Sequence, residues 1–466
     1  MVNALLAVLS GILLFTGFAP WDFWPGPFLG IALLFSVLND KGFRQRVVFS
    51  FVAGMAFFLP LLHWSSVYVG SIPWLVLATG ESAIFALIGV LRWYRQWHSA
   101  LSFAALFTLI ELLRMKWPFG GFGWGRLGFT QIDSLTALYP ILGVTGISLL
   151  IACASFASIA SRKTMLIFSV IFLASYISMN FLQSENRGRV FQVTAVQGGV
   201  DKLGFDFNDR ALRVLERHVL ATPTIPNTDL YVWPENASDV DPLKNERANT
   251  LIANLTQKLN SPLLVGAVEG TSTGPVNSSL LFGSDGKLES RYVKQDLAPF
   301  GEYIPLRTMA EAISPYAQSV RDFVPGTRWV KHHVSGIPFQ SLICFEVLDD
   351  DHAKSGAKGT AFVVAQTNNA TFGRSNEAAQ QLQITRSRAA ESGRNFVVVS
   401  TTGFTSHLDS RGKVVAMAKQ FNAEALTMKV RLVSPESIKL AQRLNSVTWT
   451  LGLLLILGLV HVRFNR

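Results

Sequence analysis

Long apolar stretches crowd the first 182 residues, at about 4–20, 24–39, 47–65, 72–92, 99–115, 139–160 and 165–182, and one more, about 446–463, closes the chain. A helix needs about 20 apolar residues to span a bilayer, within a range of roughly 17–25. Backbone in lipid must satisfy its own hydrogen bonds, so recurring stretches of this length predict membrane helices. The second stretch is short, and its neighbourhood is interrupted by Pro20, Trp21, Pro25 and Pro27. Together the first two predict a tight helical hairpin. The first lacks a basic n-region and a small-residue cleavage site, so it reads as a retained helix rather than a removed signal peptide.

Charge follows the same division. Residues 1–182 hold only 15 charged side chains, and the other 284 residues hold 57. Overall, 15% of residues are charged, against roughly 25% in soluble domains. With 49% hydrophobic residues, disorder is excluded. The predicted organisation is a seven-helix membrane domain (1–182), a water-soluble domain (183–445) and a C-terminal transmembrane helix with a short tail (446–466). The net charge of +10 is spread too thinly to suggest nucleic acid. Two cysteines, Cys153 and Cys344, rule out a disulfide framework and a zinc cluster.

Orientation follows from loop charge. With the N-terminus in the cytoplasm, nine basic residues are inside: Lys41, Arg44, Arg46, Arg92, Arg95, Arg162, Lys163, Arg463 and Arg466. Three are outside: Arg114, Lys116 and Arg126. This predicts a multi-pass protein of the cell membrane with the 183–445 domain on the extracytoplasmic side.

That domain reads as α/β. Strand-like runs fall at Val190–Val196, Leu230–Val232, Leu263–Val268, Ser341–Ile343, Ala361–Val364 and Phe396–Val399. Helical patterns lie between them at Arg210–Thr222, Leu243–Leu259 and Ala378–Ser392. Asp285-Gly286 and Arg411-Gly412 are predicted hairpin turns.

Three stretches at the ends of strand-like runs carry possible chemistry. They are Tyr231-Val-Trp-Pro-Glu235, Tyr292-Val-Lys294-Gln-Asp-Leu-Ala-Pro299-Phe-Gly-Glu302-Tyr, and Leu342-Ile-Cys344-Phe-Glu346. Singly, each has a bland reading: a solvated loop glutamate, a surface lysine, a packed cysteine. Together and in this order they resemble the Glu–Lys–Cys triad of the nitrilase superfamily of carbon–nitrogen hydrolases. The resemblance implies an αββα sandwich for the outer domain, with Glu235, Lys294 and Cys344 as catalytic residues. Pro299-Phe-Gly-Glu302-Tyr is a further match, as is Arg386-x-Arg388-Ala-x-Glu391-x-Gly393-Arg394 after the cysteine region.

The chemistry explains these residue types. A free cysteine has a pKa near 8.5, so a carboxylate, Glu235, serves as general base during attack. The oxyanion that follows needs pre-placed donors, here Lys294 and the backbone N–H of Phe345. Glu302 is expected to hold the lysine charged and oriented, and Glu346 to order the site or assist proton transfer.

Some positions depart from the superfamily pattern. Phe345 stands where many members have tyrosine, and Asn368-Asn369-Ala370-Thr371-Phe372 where Asn-Asp-Ala-Trp-Phe is frequent. Thr401-Thr402-Gly403 replaces an Asn-containing turn, and Phe205 or Phe207 is expected to replace a tryptophan.

Flanking membrane helices resemble the lipid-acylating branch of that superfamily. This implies transfer of an acyl chain from a membrane glycerophospholipid, through a cysteine thioester, to the N-terminal amine of a diacylglyceryl lipoprotein. No cofactor or metal enters, and a monomer is expected. One rival is a membrane-tethered amidase that uses water; another is a transporter or scaffold with an inactive outer domain. The intact triad opposes the second.

Trp117-Pro-Phe-Gly-Gly-Phe-Gly-Trp-Gly-Arg126-Leu-Gly-Phe129 holds five glycines and five aromatics. It reads either as an interfacial aromatic belt or as a lipid-handling loop in which Arg114 or Arg126 meets a phosphate. Glu111 is expected to pair with Arg114 at i,i+3. Glu81 has no assigned role, and Cys153 is expected to be packing.

Overall fold

The computed structural model describes residues 1–94, 97–160, 166, 169–170, 173–175, 177, 188–204, 209–313 and 315–464. Most of the seventh apolar stretch lies outside the described residues, as do Arg95, Arg162, Lys163, Phe205, Phe207 and Arg466. The chain divides into two compact units, Met1–Ser184 with Lys439–Arg466, and Glu185–Ile438.

The first unit is helical. It contains α1 (Val2–Thr16), α2 (Pro25–Leu38), α3 (Phe43–Leu61), α4 (Ser71–Phe85), α5 (Trp97–Lys116) and α6 (Tyr139–Ala160). Among the described residues, three helical segments, Phe43–Leu61, Ser71–Gly89 and Thr136–Phe156, are long and apolar enough to cross a membrane; Val2–Thr16, Pro25–Leu38 and Ser446–Leu459 are apolar but shorter. Leu5, Leu9, Val48, Ile72 and Val76 lie exposed on these helices, as expected where lipid rather than water is the solvent.

Small residues let the helices approach closely. Ser10 Oγ donates to the Gly30 carbonyl at 2.8 Å, which closes the α1–α2 hairpin. A Cβ on Gly11 would lie 2.1 Å from the Ala53 carbonyl oxygen of α3. In α6, Gly143 at φ 65° breaks the helical path, as glycine permits.

The glycine- and aromatic-rich segment 117–129 folds into this unit rather than lying along its surface. Trp124, Leu127 and Phe129 are buried, whereas Trp117 and Phe119 are exposed. The expected Glu111–Arg114 pair does not form. Arg114 instead forms an ion pair with Glu81 of α4 and donates to the Trp124 carbonyl at 2.6 Å. Glu111 lies 3.9 Å from Arg126 and accepts the Leu127 N–H at 2.7 Å. Arg126 also donates to Thr145 Oγ1 of α6 at 2.7 Å. Both arginines are fully buried and held beside carboxylates. A charge in an apolar setting costs least beside its counter-charge, and Glu81 and Glu111 supply that here.

The second unit is built from two six-stranded sheets. The first joins β1 (Val190–Gln197), β2 (Leu230–Val232), β3 (Leu263–Gly270), β4 (Pro275–Phe282), β5 (Leu288–Val293) and β12 (Glu424–Arg431), in the order β12-β1-β2-β3-β4-β5. The second joins β6 (His332–Val334), β7 (Ile337–Ile343), β8 (Phe362–Thr367), β9 (Phe396–Ser400), β10 (Ser406–Leu408) and β11 (Val414–Met417), in the order β11-β10-β9-β8-β7-β6. Strands β1-β2-β3 and β7-β8-β9 are parallel, and parallel neighbours need crossover helices. These are α7 (Arg213–Ala221), α8 (Glu246–Leu259), α9 (Asp350–Ala357) and α10 (Glu377–Ser392).

Phe191, Val193, Val232 and Leu264 of one sheet meet Phe339, Phe362, Val364 and Val397 of the other in an apolar core. The outer face of the first sheet (Tyr231, Trp233, Val265, Leu280) packs on Leu215 of α7 and on Ile252 and Leu255 of α8. The result is the expected αββα sandwich. Both anticipated Gly turns occur, with Gly286 at φ 83° and Gly412 at φ 76°.

Candidate active site

In open α/β sheets, functional groups collect beyond the carboxyl ends of parallel strands. Here Glu235 follows β2, Cys344 follows β7 and Asn368 follows β8. Lys294 follows the antiparallel β5, its N–H bonded to the Asn277 carbonyl of β4 at 2.9 Å.

Glu235 is tightly held. Its Oε1 accepts from Asn277 Nδ2 at 2.7 Å and from Lys294 Nζ at 3.4 Å. Its Oε2 accepts the Asn368 N–H at 2.9 Å. Lys294, only 1% exposed, lies 2.8 Å from Glu302 Oε2, and Asn277 Nδ2 also donates to Glu302 Oε1 at 2.8 Å. Two carboxylates therefore flank the ammonium, and the Asn277 amide bridges them. Burial works to lower the Lys294 pKa, but the charges of Glu302 and Glu235 outweigh it and raise it. Burial, reinforced by Glu302, raises the proton affinity of Glu235.

Cys344 opens a short 3₁₀ turn, Cys344–Val347, directly after β7. Its φ of 49° lies in the left-handed region, which costs a non-glycine residue about 1–3 kcal/mol. Neighbouring elements brace this turn. Glu346 Oε2 accepts the Ile343 N–H at 2.8 Å, and its Oε1 accepts the Gln295 N–H and the Tyr292 hydroxyl, each at 2.7 Å. One buried carboxylate thus ties the cysteine turn to the loop that carries Lys294. Of the two expectations for Glu346, this arrangement fits ordering.

Arg388, from the motif on α10, donates to the carbonyls of Val347 and Leu348 at 2.8 and 2.9 Å. Asp350 and Glu391 neutralise it at 2.8 and 2.7 Å. Phe345 lies within the turn, next to the cysteine.

The Cys344 thiol is pushed well up by burial and by the charge of Glu235, with Lys294 opposing. The three triad candidates therefore lie within electrostatic reach of one another. The resting sulfur is a thiol, and Glu235 is the carboxylate whose charge acts on it most strongly.

Sequence reasoning missed Asn277, Asn369 and Gln381. Gln381 Nε2 is 3.6 Å from Cys344 Sγ, and Asn369 bonds Gln381 and Glu377. No motif flags an isolated amide. The departure at Asn369 was the one visible signal. Among the described residues, Asp296, Asp349 and His352 bring ligand-type atoms within 4.8 Å of one another. Asp349 is engaged as the cap of α9, accepting from Asp351 N–H and His352 N–H at 2.8 and 2.9 Å.

The sequence profile described as apolipoprotein N-acyltransferase N-terminal domain matches residues 10–157. That described as carbon-nitrogen hydrolase matches residues 192–439. An apolipoprotein N-acyltransferase of Mycolicibacterium smegmatis is 32% identical over 91% of this chain and 79% of its own length. Proteins of the same name from Haemophilus influenzae and Geobacter metallireducens are each 28% identical; they cover 91% and 93% of this chain, and 88% and 90% of their own lengths.

Proposed function

The chain belongs to the apolipoprotein N-acyltransferase family, and from that membership we propose a two-step acyl transfer through Cys344. In the first step Glu235 takes the thiol proton as the sulfur attacks an ester carbonyl of a glycerophospholipid. Lys294 and the Phe345 N–H stabilise the oxyanion. The intermediate collapses, Glu235 returns the proton to the departing alkoxide, and a lysophospholipid leaves behind an acyl-thioester. In the second step the α-amine of a diacylglyceryl-cysteine attacks the thioester. Glu235 removes the amine proton and passes it to the leaving sulfur, and the product is an N-acyl amide.

The observation that carries this reading is the braced left-handed turn at Cys344, within electrostatic reach of the Glu235–Lys294–Glu302 group. Glu302 fixes the lysine and Glu346 fixes the turn. The match of residues 10–157 to the family's N-terminal domain favours lipid substrates over the hydrolytic rival. The catalytic domain, 183–445, lies on the extracytoplasmic side of the cell membrane in this scheme, supported by the nine-to-three loop charge count. One chain supplies the whole triad, so the scheme needs only a monomer.

Mass spectrometry of lipoprotein N-termini tests the function. Cells lacking the chain should carry diacylated N-termini, and restoring it should add an amide-linked acyl chain. Restoration by Cys344→Ala would refute the scheme.

A further inference from the structure

The scheme above leaves one polar neighbour of the sulfur without a task. Gln381, on the buried face of α10, directs Nε2 at Cys344 Sγ across 3.6 Å. A glutamine amide can present either end, but here the choice is fixed. Its Oε1 accepts from Asn369 Nδ2 at 2.9 Å, so the donor end faces the sulfur. Asn369 is fixed in turn. Its Nδ2 also donates to Glu377 Oε2 at 2.7 Å, and its Oδ1 accepts from Ser400 Oγ at 2.5 Å and Thr367 Oγ1 at 3.1 Å. A directed relay therefore runs from Ser400 through Asn369 and Gln381 to Cys344. Asn369 and Gln381 are each only 4% exposed, so bulk water does not compete for these bonds.

We propose that Gln381 is a thiolate-stabilising donor of this active site, locked in its donating orientation by Asn369. The inference rests on Cys344 being the nucleophile. Its sulfur carries negative charge twice, as it attacks the ester and as it leaves the amide-forming intermediate. A hydrogen bond to the charged form of a group favours that form, and bonds to charged groups exceed neutral ones. The charged groups that act on the sulfur are Glu235, Glu377 and Glu302, which oppose thiolate, and Lys294, which favours it. Burial pushes Glu377 up to about 8, so near neutral pH it is mostly uncharged. Lys294 still faces two carboxylates, and Gln381 supplies a second donor without adding charge.

The proposal also accounts for the departure at position 369. An aspartate there would present an acceptor to Gln381 Oε1, turn the amide over and place a charge behind the thiol. Asparagine supplies the N–H that the orientation requires.

The test uses the full-length chain in detergent with Cys153→Ala, which leaves Cys344 as the sole thiol. Iodoacetamide alkylation is followed against pH. Gln381→Leu should raise the midpoint by about one pH unit and slow alkylation near neutrality about tenfold. Asn369→Leu should shift it in the same direction. If the leucine variant fails to fold, Gln381→Met, unbranched and similar in length, takes its place. An unchanged midpoint in the folded Gln381 variant overturns the proposal. Acyl uptake by Cys344 from phospholipid, read by intact mass on the unsubstituted chain, separately tests the nucleophile. Its failure would remove that reading while the alkylation comparison still reports on Gln381.

Discussion

The thiol proton of Cys344 is the first obstacle to its chemistry, since burial and Glu235 both hold it on the sulfur. Glu235, itself raised by burial, is suited to receive that proton and release it later. Glu235→Gln should therefore slow thioester formation by about 10²–10⁴-fold. Lys294→Met should slow it by roughly 10²–10³-fold, as expected for loss of an oxyanion donor. Single-turnover acylation measures both, and unimpaired acylation in either variant removes that residue from the scheme. Glu377 offers a separate check through stability. Burial holds its pKa at about 8, above the ordinary 4.5. For a raised carboxyl, the folded state is favoured below the ordinary value, and that advantage is lost as pH rises through the folded one. Glu377→Gln keeps an acceptor for Asn369, so its thermal stability should decline less than that of the parent between about pH 5 and about pH 9. Identical declines would mean that Glu377 is charged throughout. Glu235, Lys294, Glu302, Cys344 and Glu346 were legible because each lies in a contiguous motif at a strand end. Asn277 and Gln381 were not, because their meaning comes only from which neighbours β4 and α10 bring to them.

Among elements, the six anticipated strands and three helices of the α/β unit all form, with ends displaced by a few residues. Their apolar runs bury on both faces, which makes the signal strong. β6, β10 and β11 are only three or four residues long, and no motif marks them as one marks the equally short β2. β4 opens Pro-Val-Asn-Ser-Ser, polar because Asn277 faces the site and Ser279 bonds Ser341 Oγ of the second sheet at 2.8 Å. In the helical unit, the pairing of charges was misread because i,i+3 proximity on α5 competes with partners on other elements. Glu81 and Arg126 win that competition for Arg114 and Glu111. Removing one partner of a buried pair leaves an uncompensated charge, at about 3–5 kcal/mol. Glu81→Leu should therefore lower the melting temperature in detergent sharply, and Glu81→Leu with Arg114→Leu should recover much of the loss. Additive losses in the double variant would mean the two side chains act independently.

At the scale of the whole molecule, the proposed function divides the labour between a membrane environment for the helical unit and an acyl-transfer site for the αββα unit. The division was visible as a step in charge density near residue 182, because lipid and water select opposite compositions. The contacts inside the helical unit were not visible, since helices apolar on every side carry no marked face. Reporter fusions after residue 188 should score extracytoplasmic, and a cytoplasmic score would reverse the orientation proposed from loop charges. In the proposed scheme one cysteine serves two lipid substrates in turn. Given phospholipid alone, the enzyme should release one equivalent of lysophospholipid as a burst. Intact mass should then show one acyl chain on Cys344, discharged when a diacylated lipopeptide is added. Continuous release of free fatty acid without the lipopeptide, or no acyl adduct on Cys344, would contradict it.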